Sequence, residues 1–158
     1  MTNNYKSQRE IEAVVRGFET CSLGKDEFPH QAHLTVAVWY LTNSSLEQAT
    51  GRMRAGLYRF LDHHGVGRQK YNETLTVFWM RAISALLKQL SPELSLLEVT
   101  NSVIECLTDS GLAFECYSRE VLMSNEAKQG WMEPDRISNF ELHISNISNL
   151  KIRPKERG

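Results

Sequence analysis

Two histidines lie in an otherwise apolar stretch, residues 28–34, which reads F-P-H-Q-A-H-L. Residues three apart on an α-helix lie about 60° from each other, so His30 and His33 share one face with Leu34. That face is expected to turn inward, where an imidazole without a hydrogen-bond partner costs roughly 1–3 kcal/mol. Histidine has a pKa of about 6.5, which suits proton transfer at neutral pH, and it is a common metal ligand. The pair therefore predicts a polar site that needs partners inside the protein.

A second polar pair, Asn72 and Glu73, lies where a long apolar segment begins. Asn72 falls on the stripe that continues through Leu75, and Glu73 falls at the edge of that stripe. Helices ordinarily keep such positions apolar, so several polar exceptions in one domain indicate a functional cavity. We therefore expect the two polar pairs to converge if both helix starts lie at the same end of the protein.

From these patterns we predict one buried His/Asn/Glu site. The candidate catalytic residues are His30, His33 and Glu73. The candidate ligand-binding residues are Asn72, Tyr71, Thr76 and His64. The identity of a cofactor is unknown, and the candidate is a divalent transition metal. His30 and His33 are the candidate ligands for such a metal.

Each of these residues also has an ordinary structural interpretation. His30 could bond to backbone near a helix start, and His33 could be a satisfied core histidine. His64 suits the negative end of a helix, and Glu73 suits the positive end. Asn72 is a good helix N-cap. The sequence leaves these alternatives open.

The elements that must position these residues are helices. Apolar residues recur with helical spacing over about 7–21, 29–42, 45–64, 71–90 and 91–110, and Gly24 and Gly65 suit helix ends. The pattern predicts an all-α fold, a single-domain bundle of about five main helices with short C-terminal helices, over residues 1–148. Apolar and polar residues alternate only weakly over residues 137–148, so the sequence does not predict the structure of this stretch. Residues 149–158 are charged and are expected to form a flexible, disordered tail.

Composition restricts the class of protein. Of the 158 residues, 41% are hydrophobic and 23% charged, which is typical of a soluble globular domain. The 18 basic residues nearly balance the 19 acidic ones, so we expect no nucleic-acid partner. No apolar run approaches the roughly 20 residues that span a bilayer, so we expect no membrane partner. The three cysteines, without a C-x-x-C pair, indicate buried thiols in a cytoplasmic protein.

Three stretches of the chain form a set. They are F-P-H-Q-A-H-L at 28–34, Y-N-E-T-L-T at 71–76, and a Y-S-x-x-x-L-x-S run followed by W-M-E-P-D between 117 and 135. Together they resemble an uncharacterised family of small bacterial helical proteins with F-x-H-x-x-H-L, Y-H-E-T-x-T and W-x-x-P-D motifs. The resemblance implies that these positions belong together. The departure is Asn72, where the family pattern has a histidine, and an amide oxygen is a poorer ligand than imidazole for zinc or iron(II).

Two functional hypotheses from different classes fit the sequence, beside a purely structural one. The first is a metal-dependent or acid–base enzyme that acts on a small molecule. The second is a non-catalytic helical module that binds a small ligand or a protein partner, including a homo-oligomer formed through an apolar helix face with Trp39 as its anchor. The third is that the polar residues only cap and stabilise the bundle. The chain has no H-E-x-x-H, G-x-S-x-G or P-loop motif that would favour a specific reaction.

Overall fold

The computed structural model of the protein describes residues 4–151, with side chains described for 4–148. This part of the chain forms helices without strands, which confirms the all-α prediction. The helices are α1 (Gln8–Glu19), α2 (His30–Asn43), α3 (Leu46–His63), α4 (Glu73–Leu87), α5 (Leu96–Cys106), α6 (Ala113–Cys116), α7 (Arg119–Leu122), α8 (Asn125–Gln129) and α9 (Phe140–Lys151). Short 3-10 helices cover Lys25–Glu27, Arg68–Lys70 and Ser110–Leu112. Among the described helices, none combines the length and the apolar character needed to cross a membrane.

Serine side chains determine where three of the long helices begin. In each case the serine oxygen accepts from a backbone N–H three residues on, and the side chain at that position bonds back to the serine backbone. The capping boxes are Ser7 with Glu10 in α1, Ser45 with Gln48 in α3, and Ser95 with Glu98 in α5. As a result α5 begins at Leu96, later than the Ser91-Pro92 start that the apolar spacing predicts.

Helix α2 is surrounded by other helices of the bundle. It packs against α1, α3, α4 and α5, and Leu34, Val36, Ala37 and Val38 are all at most 2% exposed. A nearly continuous apolar sequence explains this, because a helix that is apolar all round must be covered on every side. The two histidines therefore belong to a helix that packs against four others.

Helix α4 is also buried on two faces. The predicted stripe through Leu75 and Trp79 is incomplete, because Phe78 on another face of α4 is 0% exposed. Phe78 is covered because α8 and α9 pack across this second face, where its ring contacts Phe140 of α9 at 4.8 Å between centroids. Burial of this second face leaves the Leu75 side of α4 free to face α2 and α3.

Helix α9 supplies structure that the sequence pattern left undecided. Phe140 is 2% exposed and Ile144 is 0% exposed, one helical turn apart on the face toward α4 and α5. The predicted domain boundary at residue 148 falls inside α9, which continues to Lys151. Most of the predicted disordered tail, residues 152–158, lies outside the described residues.

All three cysteines are buried thiols that form no disulfide with one another, as the sequence predicts. Burial raises the pKa of Cys116 to about 11, with the charge of Glu115 adding to the effect. Because the thiolate is the nucleophilic form, Cys116 is an inert core residue at neutral pH.

The contact between α1 and α3 allows a test of packing with a matched control. A Cβ atom at Gly56 would lie 2.5 Å from the Phe18 ring, whereas one at Gly51 in the same helix would meet nothing within 4 Å. Overpacking outweighs the gain in helix propensity at Gly56, so Gly56→Ala is expected to lower the free energy of unfolding by about 1–2 kcal/mol. Gly51→Ala is expected to raise it by about 0.5–1 kcal/mol. Urea unfolding of both variants checks this, and a change of the same sign in both would contradict the contact.

Candidate functional site

A cavity of about 550 Å³ lies between α2, α3 and α4. Its walls are mainly apolar and aromatic: Phe28, Leu34, Ala37, Met53, Leu57, Phe60, Leu61, Leu75, Trp79, Met80, Ile83 and Phe114. The solvent-exposed lining residues Lys25, Lys70 and Ser110 mark its mouth. The volume falls within the range of about 300–1,000 Å³ that is typical of small-molecule pockets.

His30 lies in the cavity wall with its ring oriented by the backbone. Its Nε2 lies 2.8 Å from the Leu107 carbonyl oxygen. A carbonyl only accepts, so Nε2 carries the proton and Nδ1 of the neutral ring is left as an acceptor. Burial lowers the pKa of His30, although the Leu107 bond and the charge of Asp109 act in the opposite direction. The ring also contacts Trp79 edge to face, with 4.7 Å between centroids.

His33 lies one turn further along α2 in the same wall. Its ring packs on Phe28, with 4.1 Å between centroids. Burial, together with repulsion from His30, lowers the pKa of His33 to about 4. The ring is therefore neutral at physiological pH, and it forms no hydrogen bond with any side chain or backbone group of the described residues. A neutral imidazole offers one donor and one acceptor, and both are left for a molecule in the cavity.

The low pKa of His33 predicts a pH dependence of stability. Between about pH 6.5 and pH 4 the unfolded chain binds a proton at His33 that the folded protein does not, so stability falls as pH falls through this window. From about pH 6.5 to pH 5 the wild type is expected to lose about 1.5 kcal/mol more than His33→Phe. Urea unfolding at the two pH values measures the difference. Equal losses would show that the His33 ring is not desolvated.

Asn72 is the N-cap of α4, so its ordinary interpretation is confirmed. Its Oδ1 accepts from the Leu75 N–H at 2.9 Å, and its Nδ2 donates to the Leu122 carbonyl at 2.8 Å. The side chain is 8% exposed and lines the cavity. Both ends of the amide already bond to protein, and the residue joins the start of α4 to α7.

The carboxylate of Glu73 is held outside the cavity wall. It forms a two-point ion pair with Arg54, with Nε to Oε1 at 2.9 Å and Nη2 to Oε2 at 2.6 Å. The Tyr71 hydroxyl donates to Oε1 at 2.6 Å. Burial raises the pKa of Glu73, but the bonds from Arg54 and Tyr71 lower it by more, so the net pKa lies below the ordinary value. Glu73 is a charged partner of α3, and its predicted catalytic role stays a prediction.

Of the remaining predicted site residues, Tyr71 and Thr76 line the cavity and His64 does not. Tyr71, which is 6% exposed, and Thr76 both line the cavity, and the Thr76 hydroxyl donates to the Asn72 carbonyl. His64 caps the C-terminus of α3 and packs its ring on Phe60 at 4.5 Å between centroids. The structure thus brings His30, His33, Tyr71, Asn72 and Thr76 to one cavity, and it places Glu73 and His64 away from the cavity wall.

Lys25 and Lys70 are cavity residues that sequence reasoning missed. Both belong to short 3-10 helices, Lys25–Glu27 and Arg68–Lys70, that immediately precede α2 and α4. The sequence did contain one signal for them, which is that each lysine lies a few residues before a helix that carries predicted site residues. If α2 and α4 begin at the same end of the bundle, the two segments that precede them lie close together. Met53 and Phe60 of α3 were missed as cavity residues because a continuous apolar stripe does not distinguish a core wall from a pocket wall.

The described residues contain no group of three or more His, Cys, Asp or Glu side chains placed to hold a metal ion. His30 uses Nε2 for Leu107, so it could ligate only through Nδ1. The Asn72 amide is engaged by Leu75 and Leu122.

Comparison of the chain with protein-family models, with curated proteins and with solved structures finds no match.

Proposed function

We propose that the protein binds a small molecule in the cavity between α2, α3 and α4, with the ligand's polar group bonded to His33. The observation that carries the proposal is the unpartnered ring of His33 in a cavity with mainly apolar walls. Its polar neighbours differ, because His30, Tyr71 and Asn72 each bond to protein. Polar groups of a cavity that lack protein partners are those that fix the orientation of a ligand.

The chemistry of the walls defines the ligand in outline. Aromatic rings of Phe28, Phe60 and Trp79 favour a flat or branched apolar body. The neutral imidazole of His33 favours a hydroxyl, which can both give and accept a hydrogen bond. One such bond contributes about 1 kcal/mol net, which corresponds to about fivefold in affinity.

Binding of 2-naphthol and naphthalene tests the proposal, because the two probes differ only in a hydroxyl group. Calorimetry or fluorescence titration of the wild type should show that 2-naphthol binds about fivefold more tightly than naphthalene. His33→Phe, which keeps a ring against Phe28, should bind both probes equally.

The matched control is His63→Phe, since His63 is exposed and lies outside the cavity wall. This variant should keep the wild-type preference for 2-naphthol. If neither probe binds the wild type, or if His33→Phe still prefers 2-naphthol to naphthalene, the proposal is overturned.

The orientation of His30 favours a second candidate function, acid–base catalysis on the bound molecule. The Leu107 carbonyl fixes the tautomer, so Nδ1 of this cavity-lining residue is left as a proton acceptor. Such a base could activate water against 2-naphthyl acetate, with 2-naphthol and acetate as products. Hydrolysis faster than in buffer, and lost in His30→Gln, would support catalysis. A rate equal to that of buffer would contradict it.

A further inference from the structure

The charged residues that line the cavity in the described part of the chain are all of one sign. Lys25 and Lys70 line the mouth, and no Asp or Glu side chain of the described residues lines the cavity. Both lysines are exposed, whereas the interior of the cavity is formed by apolar residues and neutral polar groups. The pKa values of the two histidines are lowered by burial, so the positive charge of the site comes from these two ammonium groups.

Neither lysine is neutralised by another side chain of the described residues. This differs from the nearby arginines, since Arg54 pairs with Glu73 at 2.6 Å and Arg68 pairs with Asp62 at 2.8 Å. The carboxylate of Asp109 acts electrostatically on His30. Asp109 is exposed, accepts from the Gly111 N–H at 2.8 Å and does not line the cavity. The mouth therefore presents two cations without a protein counterion.

We propose that the ligand is an organic acid, whose carboxylate lies at the mouth between Lys25 and Lys70 while its apolar body occupies the cavity. This inference rests on the proposed function and names the class of molecule that the same site would take. A carboxylate cannot enter the apolar interior without a large desolvation cost, so it stays at the solvent-exposed rim. Lysine side chains are long and flexible, and they meet a carboxylate there as mobile point charges.

The test compares 2-naphthol with 6-hydroxy-2-naphthoate, which keeps the hydroxyl for His33 and adds a carboxylate to the opposite ring. At low salt 6-hydroxy-2-naphthoate is expected to bind about tenfold more tightly than 2-naphthol, because each of two exposed ion pairs adds a modest amount of binding free energy. The advantage should fall as NaCl is raised, since salt screens exposed charges. In Lys25→Met/Lys70→Met the advantage should disappear, so that 6-hydroxy-2-naphthoate and 2-naphthol bind this variant with about equal affinity.

A matched control removes the same amount of charge elsewhere. Lys6 and Lys88 are exposed and outside the cavity wall, so Lys6→Met/Lys88→Met should keep the full preference for the carboxylate. If 6-hydroxy-2-naphthoate binds no better than 2-naphthol, or keeps its advantage in Lys25→Met/Lys70→Met, the inference is overturned while the proposed function stands. If neither probe binds the wild type, the proposed function and the inference fail together.

Discussion

Replacement of Asn72 by alanine is expected to lower the free energy of unfolding by about 3 kcal/mol, the largest loss from a single side chain of the site. The substitution removes the cap on the Leu75 N–H and also leaves the Leu122 carbonyl without its donor. The amide is only 8% exposed, so water replaces these bonds poorly. Urea unfolding measures the loss.

Ser45→Ala is the matched control for the Asn72 variant. Ser45 caps α3 in an exposed position and accepts only from the Gln48 N–H. Its removal should cost about 1 kcal/mol, the ordinary cost of losing a cap. If Asn72→Ala costs no more than Ser45→Ala, the bond from Asn72 to Leu122 contributes nothing and the connection of α4 to α7 is refuted.

Arg54→Met is expected to lower the free energy of unfolding by about 2–3 kcal/mol, because it leaves the Glu73 carboxylate without its charged partner. The Glu73 side chain is only 17% exposed and would keep a single bond, from Tyr71. Glu73→Gln in the same background removes the unpaired charge and should restore part of the loss. The wild type, Arg54→Met, Glu73→Gln and the double variant form a double-mutant cycle that measures the interaction energy between Arg54 and Glu73.

Two comparisons sharpen the Arg54 experiment. Arg68 forms a similar pair with Asp62 on the surface, with side chains 61% and 51% exposed, so Arg68→Met should change stability much less. Because the Glu73 carboxylate lies outside the cavity wall, Glu73→Gln should retain wild-type affinity for 2-naphthol. A loss of binding in a folded Glu73→Gln protein would instead support the predicted functional role of Glu73.

The fold class was predictable because helical spacing and serine caps are local signals. The polar positions on apolar stripes pointed to His30, His33 and Asn72, all of which line the cavity. The sequence also placed His30 and His33 in the first turn of α2 and Asn72 at the start of α4. These residues can therefore meet when both helices begin at the same end of the bundle.

The parts that the sequence did not predict depend on tertiary packing. The partner of Glu73 is Arg54, which lies on a different helix, and no pattern within α4 reveals that pairing. The burial of Phe78 follows from coverage by α9, whose own periodicity is weak. Lys25 and Lys70 resembled ordinary solvated charges until the structure placed both at one cavity mouth.

The central claim is that a small molecule occupies the cavity between α2, α3 and α4, and methionine methyl NMR tests it most directly. Met53 and Met80 line the cavity and are 3% and 1% exposed, whereas Met123 is 45% exposed and, like Met132, lies outside the wall. With ¹³C-methyl methionine, addition of 6-hydroxy-2-naphthoate should shift the Met53 and Met80 resonances and give intermolecular NOEs from the naphthyl protons to both methyls. The Met123 and Met132 resonances should not move. Unchanged Met53 and Met80 resonances, or NOEs only to Met123 or Met132, would contradict the claim.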